Sequence, residues 1–596
     1  MSNCSRTLIR RIWFPRVARC VAAAICFLVQ VSAQEFPLDL RPLQHQSDLL
    51  RAEGRRNPKD PAPLVKLAEV QLKMGSLTEA KATLNAALDI RRDFVPALSG
   101  LGQIHRRMFE YQEALQMLNE AAALAPRDSA VRVLAADIAV DRMDFPGASA
   151  LYNTLFKENP NNPLALSGLA LVAYWENKFE DADRLARQCL KVDSIFAKAW
   201  LLMSWLHRIR QENSDWAECG RRAVACDPLD DEARANLFNI LIRGEKKAEE
   251  GYTQAQIALK LNPFNLTTHN YIGNGWSAHT YPNVPLPLSG GEKDHFLEIM
   301  EIADSTLTLH DLASASRAYD LALRLMPDHI PALIGKGASL YYMLKYDEAL
   351  ECFFMALERD PDYGLAHYGA ALCLLRKRDA VNVLLAELRR SPVSDAREPR
   401  SLRDVFTNYT KLDTELQGIV RSSVKPLQAY LPKLKQEKVT FLIFPLHHFL
   451  WQVPFNKRIQ GTRTFDGRLW DDVKGSGGKN ACAGEEWERD VKYCRFNVLT
   501  HEFAHQVHGF LPENLRKEIT RLYTSAKKAR KTLDFYSDAN ENEYFAVGVE
   551  AYVSEYKLPD QKITYDHTKS ELEKVDPDLY KFIARLNQLA ATRKAK

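Results

Sequence analysis

A 34-residue beat constrains this 596-residue chain more than any other feature. Ala80, Ala114, Ala148 and Ala182 recur at one fixed interval, and Leu84, Leu118, Tyr152 and Ala186 keep the same spacing. Pro126 and Pro160 follow, then Pro228 and Pro263. A second run carries Ala315 and Ala349, Tyr319 and Phe353, Ala322 and Ala356, and Pro327 and Pro361. Small residues let two helices approach closely, larger apolar ones fill the space between them, and proline ends the second helix. Each unit therefore reads as a helix hairpin whose apolar face only its neighbours can cover. About six units fit within 61–263 and about two to three more within 295–391. Between them, residues 264–294 are rich in Pro, Gly and Asn and read as a loop or insertion that splits the solenoid.

The units resemble the tetratricopeptide repeat, with its small residue near the middle of the first helix (Gly102, Ala170, Gly337) and its alanine on the second. That resemblance implies a concave surface for a peptide, a protein partner or the chain's own segments. The formal net charge of +4 offers no basic footprint for nucleic acid. Arg6, Arg10, Arg11, Arg16 and Arg19 lie within 1–33 without an acid, so the remainder is slightly acidic.

The same segment, 1–33, reads as a cleaved export signal. An Arg-rich start leads into an apolar run from Cys20, which ends in the small-residue site Val31-Ser32-Ala33. The run is too short for a spanning helix, which needs about 20 apolar residues. No later segment is apolar enough, so the mature chain is expected in the periplasm or medium with no transmembrane segment. Residues 34–60 form a lead-in to the repeats. Seven cysteines remain after cleavage, too few for a disulfide-built scaffold; Cys482 and Cys494 flank a polar loop and are candidates to pair or to stay free.

The beat stops near Ser391-Pro392, and 392–419 reads as a linker. Val439 to Phe444 is the first strong strand signal, so the helical chain gives way to a mixed unit. Then comes His501-Glu502-Phe503-Ala504-His505. Residues four apart on a helix share a face, so both histidines can reach one Zn²⁺, while Glu502, about 100° around the axis, faces a water instead.

A metzincin-type third ligand fails, because its positions hold His508 and Leu511. A gluzincin-type ligand, a Glu on a later helix, is supplied by Asn540-Glu541-Asn542-Glu543-Tyr544-Phe545-Ala546. Glu543 is the expected ligand and Glu541 the alternative; their helical spacing lets only one face the metal. His508 is a candidate spare ligand.

Residues 420–560 resemble the catalytic domain of anthrax toxin lethal factor and its bacterial relatives. The resemblance rests on the zinc motif, the Asn540–Ala546 segment, Asn497-Val498-Leu499, and Trp470-Asp471-Asp472-Val473-Lys474-Gly475-Ser476-Gly477-Gly478. Tyr536, seven residues before Glu543, matches the family's tyrosine that supports the transition state. Two positions depart: Ala504 replaces the usual glycine, and Val547 stands where many relatives carry a second acid, with Glu550 one turn further on. The resemblance implies that Gly475–Gly478 lies beside the substrate cleft. The segment lacks the Lys-Ser/Thr of a phosphate loop. His447 and His448 have no partner at metal spacing and read as structural.

The expected fold is thus mainly α: a tetratricopeptide-repeat α-solenoid followed by an α+β zincin-like metallopeptidase domain, with 561–596 as a helical tail. The expected activity is that of an exported zinc metalloendopeptidase. His501, His505 and Glu543 would hold one Zn²⁺ per chain, with Glu502 as general base and Tyr536 stabilising the oxyanion. A protein or peptide would be the substrate. The competing expectation is a catalytically inactive repeat scaffold.

Overall fold

The computed structural model describes residues 36–278, 286–388, 397–464, 466–490, 497–534, 536–559 and 567–592. The export-signal reading and Cys494 lie outside them. Helix pairs begin at Ala62, Val95, Ser129, Pro163, Ala197 and Asp231, each pair closing with its second helix about half a repeat later. The turn inside the hairpin is left-handed in successive units: Gly75, Phe109, Met143, Asn177 and Gln211 all have positive φ at the interval of the beat, as do His310 and Leu344 in the second block. Only Gly75 among these is a glycine, and packing explains it. A Cβ there would stand 2.0 Å from the Lys260 carbonyl oxygen. The first unit thus abuts the sixth, and Arg107 of the second unit donates to Asp231 of the sixth at 2.8 Å.

Neighbouring units interlock by a repeated device. Leu84, Tyr152, Tyr319 and Phe353 each lie over a glycine of the next hairpin, respectively Gly100, Gly168, Gly335 and Gly369, where a Cβ would come within 2.1–2.9 Å. The larger side chain fills the space that the missing Cβ leaves, as close packing requires.

Residues 264–276 depart from the loop expectation. Leu266–Tyr271 is a helix continued by a π-turn through Trp276. It starts where a seventh unit would start and packs against the helix Gly364–Ala380 of the second block. Gly273 reflects that contact and not a turn: its Cβ would be 2.4 Å from the Tyr368 backbone nitrogen. The helix Gly290–Thr308 then opens the second block, which continues with Leu312–Leu325, Ile330–Tyr342, Tyr346–Arg359 and Gly364–Ala380.

The linker expectation also needs correction. Leu402, Val405, Phe406 and Tyr409 are buried in the core of the C-terminal unit, with Phe406 stacked on Phe441 at 4.8 Å. The expected tail, where described, belongs to the same core: Leu572, Leu579, Phe582, Ile583 and Leu586 come from the helices Lys569–Val575 and Pro577–Thr592. This unit holds a three-stranded sheet of order β1 (Thr440–Phe444), β3 (Asn480–Gly484), β2 (Gly475–Ser476). β1 and β3 run parallel, with Leu442 opposite Cys482, and the short edge strand β2 runs antiparallel to β3. Helices dominate the chain, and none among the described residues is long and apolar enough to cross a membrane.

Candidate metal centre

Two helices bring the candidate donors together. Val498–Phe510 begins at Asn497, whose side chain accepts from the Thr500 amide at 2.9 Å and donates to Ser423 Oγ at 3.0 Å. Its buried face sets Phe503, Ala504 and Val507 into the core, which turns His501 and His505 the other way. Glu541–Val553 crosses it, capped by Asn540, which accepts from the Asn542 and Glu543 amides. Glu543 therefore sits in a first helical turn, where the helix dipole favours a carboxylate.

The three donor atoms form a tight triangle. His501 Nε2 lies 3.1 Å from Glu543 Oε2 and 3.2 Å from His505 Nε2, and His505 Nε2 lies 3.4 Å from the same carboxylate oxygen. Ligands about 2.0–2.1 Å from a tetrahedral zinc are about 3.3–3.4 Å from each other, so the donor set fits the ion in chemistry and in spacing. Glu541 is not part of the triplet, nor is His508, which is buried with its ring 5.3 Å from Phe545. Among the described residues a second triplet of possible donors, His207, Glu212 and Asp215, is largely exposed, two of its members being surface carboxylates.

Charge within the triangle is balanced. Burial pushes the Glu543 carboxyl up, but its hydrogen bonds with His501 and His505 outweigh that and hold it at about 2. Burial pulls the His501 imidazole down, yet its bond to Glu543 and the charges of Glu502, Glu543 and Glu550 raise it overall. Glu550 is itself buried and accepts from Lys557 Nζ and Ser554 Oγ.

Glu502 points at the glycine segment. A Cβ at Gly477 would lie 2.6 Å from Glu502 Oε2 and 3.3 Å from His505 Cδ2, and one at Gly475 would lie 3.3 Å from Glu502 Oε1. Burial pushes the Glu502 carboxyl above its ordinary range, against the opposing pull of His505 and His501. Tyr536 places its ring 6.1 Å from that of His501, and burial followed by the charge of Glu543 keeps its hydroxyl protonated.

One residue near this site gave no sequence signal. Arg468, paired with Asp466 at 3.0 Å, lowers the pKa of both Glu502 and Tyr536 by its charge. Cys482 is a buried free thiol pushed up to about 12 by burial, and the half-buried His447 and His448 pack their rings 4.2 Å apart.

Comparison with known proteins bears on the repeats. Family models of the tetratricopeptide repeat match residues 65–129, 106–172 and 330–363. The chain carries tetratricopeptide repeats. Tetratricopeptide-repeat proteins commonly bind peptides or proteins, which marks the solenoid as a scaffold for protein interaction. Similar solved structures include YrrB, a tetratricopeptide-repeat protein with an unusual peptide-binding site (16% identity, 31% of this chain and 96% of that one, TM-score 0.22). Others are PilF of Pseudomonas aeruginosa (15%, 36% and 97%, TM-score 0.25) and the Cut9–Hcn1 hetero-tetramer (12%, 56% and 58%, TM-score 0.31). Identities and TM-scores this low add no argument about function. No curated protein matches the chain.

Proposed function

We propose that the chain is an exported zinc-dependent metallopeptidase whose repeats present a binding surface for a protein substrate or partner. The observation that carries the reading is the His501–His505–Glu543 triangle with Glu502 directed at the edge of a sheet. Zinc held by those three residues would supply a Lewis acid that acidifies water and polarises a peptide carbonyl. Glu502 accepts the proton of the attacking water and returns it to the leaving amine; its raised carboxyl suits a group that must do both. The Tyr536 hydroxyl, kept protonated, donates to the oxygen on which charge develops. The edge strand β2 offers backbone to an extended peptide by strand addition. The zincin-like character of the C-terminal unit belongs to the same proposal, supported by the order of helix, edge strand and donor residues.

The test is metal content by plasma mass spectrometry on residues 34–596, paired with a peptide-library cleavage assay. Wild type is expected to hold about one zinc per chain. Glu543→Ala should lose it, whereas Glu502→Gln should keep it and lose cleavage. Folded wild type that takes up no zinc when zinc is supplied would overturn the reading and leave a repeat scaffold. Export is tested separately: N-terminal sequencing of the exported protein should begin at Gln34.

A further inference from the structure

We propose that the repeat solenoid is a structural part of the candidate catalytic site, with Ser277 and Asp472 as positioning residues that hold the Gly475–Gly477 wall against Glu502. This rests on the peptidase reading. The wall has little ladder of its own, although Ser476 Oγ also bonds with Asn456 and Cys482. β2 pairs with β3 through only two register positions, Gly475 with Ala483 and Ser476 with Cys482. Ladders that short are marginal without outside support.

The support lies upstream, on the repeats. Leu469 donates its amide to the Gly275 carbonyl at 2.6 Å, and Ser277 Oγ donates to Asp472 Oδ2 at 2.6 Å. Gly275 has φ +89, and a Cβ there would fall 2.9 Å from Arg468 Cβ, so the two backbones touch. On its other side the Asp472 carboxyl lies so close to Gly364 that a Cβ would sit 2.3 Å from it. Asp472 is fully buried, and its Oδ1 has no hydrogen-bond partner among the described residues. A buried carboxyl left half-satisfied is costly, so its place between two repeat elements calls for a role. Burial raises it to about 8, toward the neutral acid that Asn imitates in shape and charge. Two residues on, Lys474 Nζ donates to the carbonyls of Leu446 and His448 at 2.8 Å each, and the chain then enters β2. The line from solenoid to Glu502 is therefore continuous: Ser277, Asp472, Lys474, Gly475, Gly477.

The experiment uses the full chain with Asp472→Ala, Asp472→Asn and Ser277→Ala. Zinc content, kcat and KM on a cleaved library peptide, and hydrogen exchange of the 475–484 amides are measured. Asp472→Ala should keep its zinc and raise KM about 10-fold or more, in the range seen when outer supports of a metal site are removed. Its 475–484 amides should exchange at least about 10-fold faster while those of 498–510 do not change. Asp472→Asn should restore both readouts, and Ser277→Ala should show a smaller effect of the same kind. Unchanged KM and exchange in zinc-loaded Asp472→Ala would overturn the proposal, as would an Asn variant as impaired as Ala. If Asp472→Ala does not fold, Ser277→Ala decides by the same readouts. If wild type binds no zinc and cleaves nothing, the peptidase reading fails, and the exchange measurement alone still decides whether the solenoid holds the wall.

Discussion

Replacing Gly477 with alanine tests the geometry at Glu502 most directly. The new Cβ would stand 2.6 Å from Glu502 Oε2 and 3.3–3.4 Å from His505. An ordinary carbon–oxygen contact is about 3.4 Å, so the carboxylate must retreat by about 0.8 Å, while His505 need barely move. Gly477 is absent from the positive-φ positions, so alanine brings no backbone penalty. The displaced group is the end of a flexible side chain, and stability should change by less than about 1 kcal/mol. A shift of about 1 Å in a reacting group costs about 10²-fold, which sets the expected loss in kcat. Zinc content should stay at the wild-type value. Gly478→Ala is the matched control. Its Cβ meets nothing within 4 Å, but its φ of +108 strains any side chain, so it should lower stability and spare turnover. The assay compares kcat on one library-derived peptide, zinc per chain and Tm for the three proteins. A Gly477→Ala enzyme with full kcat and full zinc would refute the placement of Glu502. Equal losses of kcat in both variants would assign the effect to loop backbone and not to the displaced carboxylate.

Tyr536→Phe should lower kcat about 10²-fold at unchanged zinc content, the loss expected for one oxyanion donor; a change in zinc would assign the tyrosine to holding the site together. In the repeats, Gly335→Ala forces a Cβ to within 2.1 Å of the fully buried Tyr319 ring and should cost about 1–3 kcal/mol in denaturant melts. Gly291→Ala, in open space on a helix, should instead be neutral or slightly stabilising. Acid should weaken the fold through buried histidines. Burial lowers His269, His329 and His448 to about 4 and His367 to about 3. Their folded values lie below the unfolded value of about 6.5, so the unfolded chain takes up protons first, and stability falls as pH drops from about 6.5 toward 4. Each group contributes up to about 1.4 kcal/mol per pH unit. A urea midpoint that stays level between pH 7 and pH 5 would contradict this.

What the sequence revealed depended on how local the cause was. The hairpins were legible because each unit buries its face on the next, so small and large residues recur at a fixed interval. His501 and His505 were legible because one helical turn joins them. Residues 264–276 were misread because Asn and Gly have two uses. Asn265 caps a helix by accepting from the Thr268 amide at 2.8 Å, and Gly273 admits the backbone of Tyr368. Neither marks a loop, and only a partner helix far along the chain shows it. Residues 402–412 were misread as linker because their elements are too short for periodicity to register, although Leu402, Val405 and Phe406 are almost wholly buried. The Glu543 assignment rested on the gluzincin scheme and the Asn540–Ala546 segment, since a ligand on a second helix has no fixed spacing from the first. The bond from Ser277 to Asp472 joins two distant stretches of chain and has no local signature at all.

A solenoid is ordinarily quasi-one-dimensional, each repeat touching only its neighbours, and a domain attached to one is free to move. Here the C-terminal unit contributes to the repeats' own core. Leu446, Phe449 and Leu469 are buried among Phe296, Tyr319, Phe353 and their neighbours, and Leu558 lies with Tyr152 and Leu155 of the first block. Full burial of such a side chain is worth about 1.5–3 kcal/mol, so these four alone oppose separation by several kcal/mol. Polar contacts fix the register of the same seam: the Tyr342 hydroxyl accepts from the Leu446 amide at 3.1 Å, and His310 meets Glu485 at 3.0 Å. The departure from the beat after Trp276 is what makes room for this, because the helix Leu266–Tyr271 closes on Gly364–Ala380 and leaves Gly275 and Ser277 facing the loop that leads into β2. A repeat array that only recruited substrate would need a free concave face and a tether. This one contacts the chain that leads into the wall beside Glu502, through Gly275 and Ser277, so substitutions at the junction should register in cleavage and in exchange of the 475–484 amides, and not only in recruitment by the repeats.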